Sequence, residues 1–240
     1  MISIIIPTLN ETGAIRKALD NLKTMKGADY EIIISDGRST DDTIEIVKEY
    51  TDKIVVYEGK ERQTIANGRN LGARIAKGDY LVFIDSDVVI PEPDDFFRKA
   101  LEIFKADPEL VGITTSLFVY KEDETKMDVI FSWIVNATHY LNNNVFKTGS
   151  ASGEFQMIKR EAFQKAGGFN DTLVTYEDND MFERLVKIGK TRMIKELFVF
   201  HSGRRAHKIG WPRLMSIWIY NAAYFKLFKK AAAQEWKPIR

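Results

Sequence analysis

In YLVFIDSDVVIP, residues 80–91, five mostly apolar residues run straight into two acids, Asp85 and Asp87. A short apolar run of this kind predicts a strand buried on both faces of a parallel sheet. At its end, residues two apart project to one side, so Asp85 and Asp87 converge while Ser86 points away. Like charges placed together call for a cation between them. A pair of hard oxygen ligands suits Mg²⁺ or Mn²⁺, which keep some waters and complete their shell with substrate phosphates. An isolated D-x-D can equally be an acidic turn with a helix cap, so the surrounding chain has to decide.

Upstream, SIIIP, YEIIIS and KIVVY repeat the same short apolar signal. Between them GAIRKALDNLKTM, STDDTIEIVKEY and TIANGRNLGARIAKG carry apolar residues at helical spacing, with Ser39 or Thr40 expected to open the second helix. Four strand–helix units predict a doubly wound, mostly parallel α/β sheet flanked by helices, whose ligands bind beyond the carboxyl ends of the strands. Pro7 to Glu11, Asp36, and the pair Asp85 and Asp87 all fall at such ends. Downstream the pattern is mixed. LVGITTSLFVY, GEFQMIKR and TRMIKELFVFH read as strands, REAFQKAGG and NDMFERLVKIG as helices stopped by glycine.

The chain of 240 residues is 45% hydrophobic, enough for a substantial core. It has no cysteine, which excludes disulfides, thiolate nucleophiles and cysteine-ligated zinc. The start MISIIIPTLNE has neither the basic opening nor the long apolar run of a secretory leader and predicts a cytoplasmic protein. Charge is uneven: nine of the 35 Lys and Arg, but only one of the 34 acids, lie in residues 204–240. The charge therefore divides the chain into a body over 1–203 and a basic aromatic helical tail (204–240).

Taken in order, these segments resemble the family 2 glycosyltransferases, inverting enzymes of the GT-A fold that use nucleoside-diphosphate sugars. For the body, the resemblance implies a catalytic region with a nucleotide-binding half (1–90) and an acceptor half (91–203). SIIIPTLNE is similar to the family's first strand and loop, which implies that Pro7, Thr8, Asn10 and Glu11 cradle the nucleoside. EIIISDGRSTDDT resembles its second-strand signature, with Asp36 accepting from the base; UDP is expected ahead of GDP, although Ser35 and Arg38 depart from the usual pattern and leave guanine open as the base. GRNLGARIAKGDYLVFIDSD resembles the Arg-Asn-x-Gly helix leading to the metal strand, which places Arg69 on the donor or on a neighbouring acid and counts Ser86 with the donor residues. GSASGEF, residues 149–155, stands where the family lines the donor-sugar pocket, implying Gly153 and Glu154. In YEDNDMFERL the resemblance implies Asp178, ahead of Glu177, as the base that deprotonates the acceptor hydroxyl; without it, an acidic first helical turn is the plainer reading. A third metal ligand beside Asp85 and Asp87 would be His201, whose other reading is a histidine bonded to backbone or diphosphate. Arg204 and Arg205 could assist with phosphate.

Residues 211–236 mix tryptophan, tyrosine and phenylalanine with lysine. Their longest uncharged run is too short to span a bilayer, but it suits a helix on the inner face of an anionic membrane or one packed on the core or a second subunit. Residues 129–146 are uncharged too, yet their asparagines argue against spanning; a lid or acceptor-channel helix is expected there. Together these segments suggest a lipid-linked or membrane-proximal acceptor. DSDVV also satisfies the nucleophile motif of haloacid dehalogenase-type phosphatases, though that motif normally ends the first strand of its sheet. A non-catalytic membrane adaptor is the other alternative. Nucleic acid is not an expected partner, because the basic residues are confined to the tail.

Overall fold

The structure, a computed structural model, describes residues 1–232. Trp236 and the rest of the expected tail beyond 232 lie outside the described residues. Seven strands form one sheet: β1 (Ile2–Thr8), β2 (Tyr30–Asp36), β3 (Ile54–Val56), β4 (Tyr80–Phe83), β5 (Leu110–Val119), β6 (Gln156–Lys159) and β7 (Lys190–His201), in the order β3-β2-β1-β4-β6-β5-β7. The first four are mutually parallel, and β6 is antiparallel to both β4 and β5. The expected mostly parallel sheet is therefore present, and the β4–β6 pairing joins the two halves of the chain in one layer.

Side-chain alternation divides the interior into two cores. Ile4, Ile6, Ile32, Ile34 and Val82 face one side, under α1 (Ile15–Lys23) and α4 (Pro93–Ala106). Ile5, Ile33, Leu81 and Phe83 face the other, under α3 (Ile65–Ile75), α6 (Arg160–Lys165) and α7 (Glu177–Leu185). Near the middle of α3, Gly72 leaves no room for a side chain: a Cβ there would come within 2.5 Å of the Ile5 side chain, so the helix lies directly on β1.

Three elements differ from expectation. The second helix, α2, starts at Thr43 and is only Thr43–Val47, because Ser39, Thr40 and Asp41 are used to bind the neighbouring loop. α4 was not evident from the pattern. The uncharged stretch after residue 125 forms α5 (Lys126–Tyr140) and a π-helical turn (Leu141–Val145), and it is fastened where a lid would hinge. Asn136 bonds both backbone groups of Leu117, and Asn144 both of Met193, each closing a strand edge as a neighbouring strand would. Next come α8 (Arg204–Ile209) and α9 (Trp211–Phe228), which packs on α5 through Trp211, stacked on Phe131 at 5.0 Å. Among the described residues no helix is long and apolar enough to cross a membrane.

Candidate active site

The carboxyl ends of β1, β2, β4 and β7 carry polar groups toward the cleft. β1 and β2 end in register at Thr8 and Asp36. Asp36 is fully buried, and its carboxylate accepts from Thr8 Oγ1 at 3.1 Å, from the Ser39 amide at 2.8 Å and from Ser39 Oγ at 2.5 Å. It is directed inward, holding the turn at 37–40 in place. Asn10, at a left-handed φ of 54°, accepts from the Thr40 amide, and the Glu11 amide donates to Thr43 Oγ1. The residues expected to cradle the nucleoside thus also lace the first loop to the second. Pro7 is half-buried against α3, where Gly68 lets the helix come close.

The centre of the site is Arg69, 1% exposed, which α3 carries beneath the end of β4. Its guanidinium meets Asp178 at 2.5 Å, Asp85 at 3.2 Å and Glu177 at 3.5 Å, and donates to the Gly153 carbonyl at 3.4 Å. Three separate segments therefore converge on one cation carried by α3. Gly153 is required for this approach: a Cβ there would lie 2.6 Å from Arg69 Nη2 and 3.0 Å from Asp85 Oδ2. Gly149, at φ +80°, seats the same loop on α7, its missing Cβ facing the Phe182 carbonyl. Asp178 also accepts from Gln156 on β6, so one carboxylate oxygen is fixed from two sides.

Asp87 has a different set of partners. Ser202 donates to its Oδ2, Arg204 Nε lies 3.4 Å from the same oxygen, and Tyr120 donates to its carbonyl. Arg204 also forks onto Glu11 at 2.9 and 3.2 Å. Each acid of the D-x-D pair is thus met by its own arginine, one from α3 and one from α8. Arg204 is not a solvated tail residue; it clasps the first loop to the end of β4. His201 ends β7 beside Ser202, and its ring Nδ1 faces the Ser202 carbonyl at 3.0 Å. Ser86 is buried.

The charges crowd. Burial raises Asp85 above the ordinary carboxylate range, Arg69 opposing and Glu154, Asp87 and Asp178 adding to it. Burial likewise raises Glu177 and Asp178, with Arg69 opposing in both. Glu154 goes the other way: burial would raise it, but His201, Ser152 and His139 hold it low. Among the described residues no three His, Asp or Glu side chains stand close enough to form a ready-made ion cage. The donor set still fits a divalent ion held by Asp85 and Asp87 alone, because the carboxylates there outnumber what Arg69 offsets and an incoming diphosphate can supply the remaining oxygens.

Of the expected residues, Arg69, Asp85, Gly153 and Asp178 meet directly, with Asp87, Glu11 and His201 along the same strand ends. Asp180, in the same acidic run, serves Arg184 instead, at 2.7 Å. Gln156, Ser202 and Tyr120 were not anticipated. A buried amide inside the apolar strand GEFQMIKR was the one available signal for the first of them.

Comparison with known proteins bears on the fold and the family. An uncharacterized glycosyltransferase of Haemophilus influenzae is 27% identical over 195 residues, 78% of this chain and 62% of that protein. The mannosyltransferase PcManGT from Pyrobaculum calidifontis, solved with GDP-Man and Mn²⁺, has the same fold at TM-score 0.72 and 20% identity, covering 97% of this chain and 65% of that one. S. aureus TarS, solved with UDP-GlcNAc, gives a TM-score of 0.65 at 15% identity over 98% of this chain and 68% of that one. The chain spans less than two-thirds of the length of the Haemophilus relative. Residues 3–167, from the first strand through the D-x-D pair to the end of α6, match the family described as Glycosyl transferase family 2, and the chain belongs to that family.

Proposed function

We propose that the protein moves a sugar from a nucleoside-diphosphate sugar, a UDP-sugar ahead of a GDP-sugar, onto an acceptor hydroxyl with inversion. The observation that carries this is Arg69, which ties the D-x-D strand to the acid pair at the start of α7 and so sets a donor-side and an acceptor-side carboxylate on opposite flanks of one buried cation. Asp85 and Asp87 would hold Mn²⁺ or Mg²⁺, with His201 the candidate third ligand. When bound, the ion supplies charge neutralisation for the departing diphosphate.

The chain's own residues do the rest. Asp178 takes the proton of the attacking hydroxyl; burial keeps its carboxyl more basic than usual, while Arg69 and Gln156 fix its orientation. Glu177 is the neighbouring acid of the pair and shares Arg69. Thr8, Asn10, Glu11 and the turn that Asp36 holds form the wall for the base and ribose, and Gly153 and Glu154 line the donor sugar. A lipid-linked or membrane-proximal hydroxyl is the acceptor class this reading favours, given the aromatic and basic residues along α9.

Thermal-shift titration with UDP and GDP, each with Mn²⁺ or Mg²⁺, tests the donor half. UDP with metal raises the unfolding temperature, and Asp87→Ala removes the metal-dependent part. No shift with any nucleotide would refute the donor site. Asp178→Asn tests the other half: donor binding persists while transfer falls by about 10²-fold or more.

A further inference from the structure

Two helices carry an apolar surface that the described chain does not cover. Among the described residues, eleven of the sixteen exposed large apolar side chains lie on α5, the π-helical turn after it, or α9, and a twelfth, Phe146, directly follows the turn, so this exposure is localised. Ile130 and Trp133 sit one turn apart on α5, and Ile219, Tyr220 and Leu227 follow along α9; Trp133 and Leu227 are 72% and 76% exposed. The inner faces of the two helices are already used. Trp211 stacks on Phe131 and donates to Asp128 at 2.6 Å, and Leu214 and Phe225 are buried. Apolar exposure concentrated on two helices that pack on each other marks an interaction site.

Charge selects the partner. Residues 126–148 and 204–232 contain nine Lys and Arg and a single acid, Asp128, which is fully buried and bonded to Thr125, His207 and Trp211. Lys226, Lys229 and Lys230 are exposed on either side of Leu227 and Phe228. Apolar and aromatic groups interleaved with cations, with no exposed carboxylate, suit an anionic lipid surface, where tryptophan and tyrosine sit at headgroup level. A second copy of this chain would oppose positive charge to positive charge on that face.

We propose that the outer surface of α5 and α9 docks onto an anionic phospholipid bilayer, the protein lying on the membrane. The surface is tied to the catalytic end of the molecule, because Phe225 of α9 packs at 4.9 Å on Tyr176, the residue that precedes Glu177 and Asp178. Docking does not depend on transferase chemistry and is measured without it.

The full chain is floated with vesicles of phosphatidylcholine alone, or with about a third phosphatidylglycerol, near 0.1 M salt. Flotation is expected with the anionic vesicles only and weakens as salt is raised. Trp133→Glu with Leu227→Glu, and separately Lys226→Glu with Lys229→Glu and Lys230→Glu, each lower the partition coefficient by about tenfold or more, with the unfolding temperature unchanged since all five side chains are exposed. Absence of flotation with anionic vesicles, equal flotation with neutral ones, or insensitivity to either set of substitutions overturns the proposal. So does a dimer in sedimentation velocity that Trp133→Glu dissolves, which would assign the face to a second copy.

Discussion

Arg69 faces three carboxylates from within the fold, and its removal leaves all of them partly buried without their common cation. Arg69→Met is expected to cost about 3–5 kcal/mol in urea unfolding, the range for stranding a buried ionic partner. Arg69→Lys keeps the charge but replaces a planar fork with a point charge, which cannot span Asp85 and Asp178 together. It therefore recovers part of the stability and little of the transfer rate; a lysine variant with full activity would show that charge alone suffices. Gly153 is the second residue whose identity is forced. Gly153→Ala drives a methyl into the Arg69–Asp85 pair, with an expected loss of about 1–3 kcal/mol and a fall in transfer rate that exceeds any change in acceptor affinity. Unchanged steady-state kinetics in that variant would mean the pair has room to yield.

Besides the Arg204 and Phe225 contacts, one carboxylate fastens the C-terminal elements to α5. Asp128, in the first turn of α5, accepts from the Thr125 amide at 2.7 Å, Thr125 Oγ1 at 2.6 Å and Trp211 Nε1 at 2.6 Å, and faces His207 Nε2 at 2.8 Å. Asp128→Ala leaves the buried indole N–H of Trp211 on α9 without its acceptor, at about 1–3 kcal/mol. Amides of 211–228 should then exchange with solvent faster, while those of β1 and β4 keep their protection; uniform loss across the sheet would rule out a local clasp. Such a clasp was hidden in the sequence, because its partners lie some eighty residues apart and histidine and tryptophan carry no spacing rule. The parallel strands were legible because continuous Ile and Val runs have few other uses, and Asp85, Asp87 and Asp178 were legible through motif order. α4 had signals that went unread: Pro93 at its start, Asp94 and Asp95 in its first turn, and Phe96, Phe97, Ala100 and Phe104 at helical spacing. Ser39 and Thr40 look like caps for α2, but both bond to Asn10 across the loops, a tertiary use that local pattern cannot reveal.

Across the whole molecule the two ends of the sheet respond to acid in opposite ways. At the end away from the cleft, Glu31 sits opposite Ser3 in the β1–β2 register. Burial would raise its carboxyl, but Lys53, Ser3 Oγ and the Lys77 amide more than offset that and hold it at about 2, against an ordinary value of 4.5. A folded-state value below the unfolded one contributes stability that is complete above the unfolded value and is lost as pH falls through the folded one, here between about 4.5 and 2. The difference corresponds to roughly 3 kcal/mol. At the cleft three acids reverse the sign, against Glu154, which is held low. Asp85, Glu177 and Asp178 are raised in the fold, so they weaken it at neutral pH and take up protons before the unfolded chain does as pH falls. Stability should therefore rise from neutral toward the upper edge of the ordinary carboxylate range and then fall, giving a maximum on the acid side of neutrality in urea unfolding measured across pH. Glu31→Gln lowers stability and flattens the acid limb alone. A divalent ion with UDP, which opposes the crowding at the cleft, should stabilise more at neutral pH than near the maximum. A curve that peaks above neutrality, or one whose acid limb ignores Glu31→Gln, would contradict this opposition between the two ends.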